Sequence, residues 1–536
     1  METNYYFIPL LLKHLQMMNI KCDPKQLQIV LQSAPSFPSV LSIVQAYTYF
    51  GLKATAYRAD YTALEKASIP AIAHIKEDNI DRFILLRKVS ENKVSYYDAF
   101  INKKVEISKD HFCTIWSGII VLSEKTENIF QSRTLNKYLE YGIALAIFCI
   151  VLLNFRTSQR SQPFSFFCGL LGLKSAGSLF CIGLLRQESN GAYSVFDTFC
   201  HRNEAFDCAK VIQSKASKLF NKITLADIGF IYFTTGVISL CIGIFSNVIS
   251  SVQQILFYLS VSSIPLILFS ILYQKMVVRK WCPLCLSVIS ILGIEVMLFI
   301  FFPHKVFSGD LILTARLLFL SLLSSIGVLF LTKHSIENQA KHFRTMISVL
   351  QLKRTPQVVS AVFGSQKNVP QLTKDNLIIG NQEAPITITT LLNPMCAPCK
   401  DLAVEMIKLL ESYPSFIQWH LRLDGVKVSE YEKMNESQLY LFELFRQYDD
   451  AKDRLNIIKE WFKVQSLSKF SENYPLKTIP EEIIEVFSDH VKNNNELKAE
   501  KVPSLWINNH VFPKEYSLRD IPFLLTDLGV LLKSTI

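Results

Sequence analysis

Six of the twelve cysteines fall into three pairs: Cys200 with Cys208, Cys282 with Cys285, and Cys396 with Cys399. A thiolate attacks a disulfide sulfur, forms a mixed disulfide and passes two electrons along, so pairs in sequence can form a relay. Cys282 and Cys285 stand in Trp281-Cys282-Pro283-Leu284-Cys285, at the head of an apolar run that reaches residue 302. With the motif, that run is long enough to cross a bilayer hydrocarbon core. At a membrane boundary, such a pair can meet aqueous thiols on one side and a lipid-soluble oxidant on the other. Cys396-Ala397-Pro398-Cys399 follows a strand-like segment, 386–392, and opens a helical one, 401–411. A helix N-terminus favours the Cys396 thiolate. Pro398 is tolerated there because first-turn N–H groups lack an intrahelical partner. The remaining cysteines, Cys22, Cys113, Cys149, Cys168, Cys181 and Cys241, are scattered and read as small hydrophobes. A metal role for Cys282 and Cys285 would need four ligands, and the membrane region holds no second C-x-x-C or histidine pair, so none is expected.

These pairs need elements to hold them. The chain has 536 residues, half of them hydrophobic and 19% charged, with a mean hydropathy of +0.24. Those values fit membrane spans joined to soluble parts. The net charge of +10 has no basic stripe interleaved with aromatics behind it, so no nucleic acid partner is expected. The apolar piece 7–12 is short and has no basic residue ahead of it, so no cleaved signal peptide is expected.

Residues 1–127 alternate helical and strand-like patterns: a helix over 39–49 and short strands at 71–75, 83–86 and 93–97. Six apolar stretches come next, at 138–155, 164–186, 226–248, 254–274, 283–302 and 311–332, each near the ~20 residues a spanning helix needs. The second carries Lys174, which must snorkel or face protein. A polar loop, 187–225, holds Cys200 and Cys208. An amphipathic helix over 334–351 and a linker over 353–375 lead to the last domain.

Three parts of the chain resemble known families. Pro70-Ala71-Ile72-Ala73-His74, Arg82-Phe83-Ile84-Leu85-Leu86, Tyr97-Asp98 and Phe112 to Gly118 resemble the papain-like leader peptidase domain of bacteriocin ABC exporters. That family needs a histidine where this chain has Arg82, and a guanidinium cannot serve as general base. Asp98 keeps the place of the orienting acid. Cys22 lacks the family's surrounding motif, so the resemblance implies a degenerate domain that binds leader peptides rather than cutting them, with peptidase activity as the alternative reading. Two loop cysteines, Ser214 six residues after Cys208, and C-x-x-C two spans later resemble the vitamin K epoxide reductase family. Cys396–Cys399, the strand before it, the 429–493 helical stretch and Val502-Pro503-Ser504 resemble a thioredoxin fold with the insertion of DsbA-like oxidoreductases, Pro503 being the cis-proline.

The resemblances imply a multi-domain membrane protein. It would comprise an N-terminal α+β papain-like domain (1–127), a central α-helical transmembrane bundle (137–332), an amphipathic helix and linker (333–375), and a C-terminal α/β thioredoxin fold with helical insertion (376–536). They further imply a route: thiols of exported proteins reduce Cys396–Cys399, which reduces Cys200–Cys208. Cys208 exchanges with Cys282, and Cys285 delivers electrons to a membrane quinone, menaquinone or ubiquinone, near Ser214. Two other readings remain: an accessory for peptide export that binds leaders, and a disulfide reductase running in reverse.

The implied location is the bacterial inner membrane, with five or six spans and the thioredoxin-like domain in the periplasm. Two spans separate Cys208 from Cys282 and two more separate Cys285 from the last domain, so all three pairs fall on one side. Thiol-side loops carry Lys210, Lys215, Lys218, Lys222, Lys275, Arg279 and Lys280, against Arg156, Arg160 and Lys305 opposite. The positive-inside rule would put the thiols in the cytoplasm. Persistence of disulfides in oxidising compartments favours the outside.

Overall fold

The computed structural model describes residues 6–20, 22–50, 52–77, 80–125, 164–189, 193, 195–200, 206, 208–212, 214, 218–219, 223–246, 248–301, 311–370, 372, 377–425, 432–476 and 479–525. The apolar stretch expected at 138–155 lies outside these residues. Contacts divide the chain into two compact units. One is built mainly from the N-terminal sheet and the membrane-length helices, the other mainly from the C-terminal sheet.

Three helices open the chain: α1 (Phe7–Met17), α2 (Pro24–Gln32) and α3 (Val40–Tyr49). Ser39 starts α3 as an N-cap, its hydroxyl accepting the Ser42 N–H while the Ser42 hydroxyl accepts the Ser39 N–H. Next come β1 (Leu52–Arg58), α4 (Tyr61–Glu65), β2 (Ala71–Glu77), β3 (Ile80–Ser90), β4 (Lys93–Asp98), β5 (Lys103–Ser108), α5 (Lys109–Ile115) and β6 (Trp116–Lys125). The strands form one sheet in the order β1-β6-β2-β3-β4-β5. Antiparallel pairing sets Ile75 opposite Arg82 and Leu85 opposite Tyr97, which places Arg82 and Asp98 near one end of the β3–β4 pair.

The middle region is helical: α6 (Phe164–Glu188), α7 (Val195–Cys200), α8 (Cys208–Ile212), a two-stranded ribbon of β7 (Lys218–Leu219) and β8 (Ile223–Thr224), α9 (Leu225–Phe245), α10 (Ile249–Ser262), α11 (Ile264–Tyr273), a π turn (Gln274–Val278), α12 (Pro283–Phe301) and α13 (Leu311–Lys353). Five helical segments are long and apolar enough to cross a membrane: Phe166–Glu188, Leu225–Phe245, Ile249–Val278, Pro283–Phe301 and Ile312–Lys353. Lys174 does not snorkel. Its ammonium lies 2.6 Å from Glu295, and both side chains are fully buried between helices. Burial without that partner would cost several kcal/mol, so α6 can span only with α12 beside it. Gly177 faces Phe233 and Gly236 faces the Lys174 stem, where a Cβ would have no room.

The stretch expected as a last span and a separate amphipathic helix is one continuous helix, α13, of 43 residues. No proline interrupts it, its one glycine (Gly327) is carried within the helix, and the polar positions after Thr332 simply continue its turns. The segment expected as a linker contains α14 (Pro356–Gly364), with proline in its first turn and Val359 and Phe363 buried in the C-terminal core.

The C-terminal part continues with β9 (Leu377–Gly380), β10 (Ile386–Leu392), α15 (Ala397–Ser412), β11 (Ile417–Leu423), four helices α16 (Glu432–Gln447), α17 (Ala451–Val464), α18 (Leu467–Asn473) and α19 (Glu481–Asn493), then β12 (Ser504–Ile507) and β13 (His510–Val511). The sheet order is β13-β12-β10-β11-β9, with β10 and β11 parallel and the other pairs antiparallel. Ile388, Trp419, Leu421, Met406, Phe445 and Trp461 are fully buried against one another, packing helices onto the sheet.

Candidate functional site

The C-terminal pair is positioned by the β10–α15 connection. Cys396 caps α15 in extended conformation, so its side chain stands at the helix N-terminus, while Cys399 lies one turn inside. Cys399 is fully buried, and its sulfur accepts the Asn393 N–H at 3.3 Å. Burial pushes the Cys399 thiol up to about 12, with the Asn393 N–H acting the other way. Cys396 is half-buried. The two sulfurs therefore differ in access, Cys396 the outer and Cys399 the inner. The Val502–Pro503 bond is cis. Ser504 pairs with Leu391 at the end of β10 that leads into the cysteines, which brings Pro503 to the same edge.

The other two pairs meet. Cys200 ends α7, Cys208 begins α8, and the two are joined as a disulfide with Cα atoms 5.3 Å apart. Cys200, Cys208 and Cys282 are fully buried in one apolar cluster with Leu184 and Leu284, and Cys285 packs against it. A backbone bridge between Phe206 and Trp281 ties the loop between the first two cysteines to the segment ahead of Cys282. The Cys285 N–H donates to the Cys282 sulfur at 3.3 Å, because Pro283 starts α12 between them.

Gln274 belongs to no motif in the sequence. Fully buried in the π turn, it accepts the Cys282 N–H through Oε1 at 2.8 Å. The turn ends at Arg279 in left-handed conformation (φ 54°), which redirects the chain into the C-x-x-C. A π turn adds a residue to a helix and re-aims the backbone beyond it. A lone glutamine late in an apolar run was the available signal.

Beside this cluster lies a cavity of about 260 Å³ among α6, α8, α9, α10, α11 and α12. Cys285, Ser214, Gln274, Tyr232, Tyr273 and Phe233 contribute to its mostly apolar wall. The Ser214 hydroxyl donates to the Val211 carbonyl at 2.7 Å, which turns the serine onto the end of α8. Tyr232 also donates to Glu295 at 3.0 Å. Neither Tyr232 nor Glu295 belongs to a motif in the sequence, although a single carboxylate within an apolar span is itself a signal.

In the N-terminal sheet, Arg82 Nε lies 2.9 Å from Asp98 Oδ2, and Arg82 also pairs with Glu77. Burial pushes the Asp98 carboxyl above its usual range, with Arg82 acting against it. Cys22 donates weakly to the Asp23 carbonyl at 3.5 Å, and burial pushes its thiol up to about 12. A thiol held protonated is a poor nucleophile.

Residues 8–128 match the family model described as the peptidase C39 family, and residues 163–300 match that of the vitamin K epoxide reductase family. No curated protein matches the chain. Among solved structures, the chain is similar to the peptidase domain of Streptococcus ComA, a bi-functional ABC transporter involved in a quorum-sensing pathway, at 18% identity over 24% of this chain and 95% of that one (TM-score 0.22). It is similar to oxidised BdbD from Bacillus subtilis at 16% identity over 31% and 98% (TM-score 0.25). A third is Proteus mirabilis ScsC in a compact conformation, at 13% identity over 39% and 99% (TM-score 0.26).

The family matches, the thiol pairs and the membrane-length helices define a multi-pass membrane thiol–disulfide oxidoreductase. Its middle region is similar to the vitamin K epoxide reductase family and its N-terminal region to the peptidase C39 family, and its C-terminal sheet carries a strand–cysteine–helix unit.

Proposed function

We propose that the protein makes disulfides in exported proteins and passes the electrons to a membrane quinone. The observation that carries this reading is the meeting of Cys200–Cys208, Cys282 and Cys285 in one cluster, with Cys285 on the wall of an apolar cavity. The cavity fits a quinone: its wall is largely aliphatic and aromatic, and Cys285, Ser214, Tyr232 and Tyr273 are among the residues that bring polar groups to it. A quinone bound there supplies a sink for two electrons and two protons.

The chain's own residues do the rest. As the disulfide of Cys396 and Cys399 is reduced, a substrate dithiol is oxidised; Cys396, the more accessible sulfur, takes the attack. The reduced pair then reduces Cys200–Cys208. Cys208 exchanges with Cys282 through a mixed disulfide, and Cys282 and Cys285 close their bond as two electrons leave from Cys285. Each step conserves the electron pair, and about 30 mV between couples is worth about 1.4 kcal/mol. Menaquinone and ubiquinone both suit the cavity. Ser214, on its wall, is assigned to quinone binding, and Pro503 to substrate docking beside Cys396.

The proposed setting is a bacterial inner membrane with all three pairs on the periplasmic side, since disulfides persist in oxidising compartments. The test is Cys282→Ser, which leaves Cys208 without its partner. Quinone-dependent reoxidation of Cys396–Cys399 should stop; if it continues, the relay order is wrong.

A second activity is assigned to the N-terminal region: binding of leader peptides without cleavage. The Arg82–Asp98 ion pair favours it, because it fills with a permanent cation the position where a base is needed.

A further inference from the structure

Lys174, Glu295, Tyr232 and Ser260 form a hydrogen-bonded polar cluster within the membrane-length helices. Glu295 Oε1 receives three partners: Lys174 Nζ at 2.6 Å, the Ser260 hydroxyl at 2.6 Å and the Tyr232 hydroxyl at 3.0 Å. The Tyr232 and Ser260 oxygens are themselves 3.0 Å apart. The Lys174 ammonium also sits 3.6 Å from the centre of the Tyr232 ring. Lys174, Glu295 and Ser260 are fully buried. A packed apolar set would hold these helices together at no desolvation cost, so a retained ion pair at this depth points to a task.

The task is indicated by the neighbour. Tyr232 lines the same cavity as Cys285. Glu295 is ten residues beyond Cys285 on α12, about 15 Å along the axis. Cys285 lies in the first turn of α12 and Glu295 near its middle, so the polar cluster stands deeper along the helix than the thiol, and Tyr232 joins it to the cavity wall. A quinone ring carries an oxygen at each end, and an apolar wall offers no water from which the deep oxygen could take a proton.

We propose that Tyr232, Glu295 and Lys174 form a proton relay that protonates the deep oxygen of the quinone reduced by Cys282 and Cys285. The inference rests on reading the cavity as the quinone site. As the Cys282–Cys285 bond forms, two electrons leave and the two thiol protons pass to water. Tyr232 would give its O–H proton to the deep oxygen of the acceptor, and water at the Cys285 end would give the other. The Tyr232 oxygen is reloaded from the Lys174 ammonium through Glu295 Oε1, which touches both. When the product leaves, water entering the emptied cavity returns a proton to Tyr232, and Glu295 Oε1 passes it back to the buried Lys174. The sum is two thiols and one quinone giving one disulfide and one quinol. Ser260 holds the Glu295 oxygen and is a positioning residue.

Three variants of the full chain in detergent test this: Tyr232→Phe, Glu295→Gln, and the double change Lys174→Met with Glu295→Leu, which removes the ion pair as a whole. The probe is a benzoquinone bearing one isoprene unit. Thiol exchange between Cys208 and Cys282 without quinone should stay within about twofold of wild type in all three, and binding of the probe, tracked by quenching of protein fluorescence, should stay so in Glu295→Gln and in the double variant. Quinol formation should fall by about 100-fold, the scale of a lost proton donor, with a larger solvent deuterium isotope effect. Wild-type quinol formation in Tyr232→Phe and in the double variant would overturn the relay and leave the cluster a structural tie. If the wild-type protein forms no quinol at all, the reading of the cavity fails instead. If Glu295→Gln does not fold, the other two variants still decide.

Discussion

At the residue scale, the chemistry divides by burial. Cys396 and Cys399 share a motif, yet one caps a helix at half exposure and the other is fully enclosed. With the Cys399 thiol pushed up to about 12, iodoacetamide at pH 8 should label Cys396 and spare Cys399 in the reduced protein, as read by site-resolved mass spectrometry. Equal labelling would contradict this burial. The same shift sets the sign for stability. Folded Cys399 keeps its proton where the unfolded thiol, near 8.5, has lost it. The stability of the reduced domain should therefore fall as pH rises through about 8.5 and continue falling toward 12, measured by denaturant unfolding at each pH. Sequence identified these cysteines and their spacing. It did not identify Gln274, because a glutamine in an apolar run acquires meaning only when Cys282 is brought to it.

At the element scale, the π turn and α12 act together. Gln274 fixes the first N–H of the C-x-x-C, and the left-handed Arg279 aims the chain at it. Gln274→Met keeps the volume but removes the acceptor from a buried N–H. The expected cost is about 1–3 kcal/mol, seen as a lower Tm, together with slower exchange between Cys208 and Cys282. An unchanged Tm and exchange rate would mean that the turn holds the motif without Gln274. The apolar periods gave the five described spans to within a few residues. The last helix outruns its apolar stretch, since hydropathy drops at Thr332 while backbone hydrogen bonding continues to Lys353.

At the scale of the whole molecule, electron transfer through the three pairs requires that they share a compartment. Two membrane-length helices lie between Cys208 and Cys282 and two between Cys285 and the C-terminal sheet, an even count each time. Impermeant maleimide applied to intact spheroplasts should label Cys396 and, in a Lys210→Cys variant, the exposed position two residues after Cys208, from the same face. Labelling from opposite faces would end the relay. The same experiment weighs the basic loops, which argue for the cytoplasm, against the oxidising environment the disulfide favours.

The sequence by itself determined the kinds of part present: thiol pairs at redox spacing, apolar runs of membrane length, an alternating N-terminal sheet and a strand–cysteine–helix unit. These are local properties, set by residue spacing and period. Only the tertiary structure decided which parts meet. It brought Cys200–Cys208 against Cys282, opened a cavity beside Cys285, gave Lys174 its carboxylate 121 positions away and set Arg82 on Asp98. Such pairings depend on how helices and strands pack, and a buried charge finds its partner in space rather than along the chain.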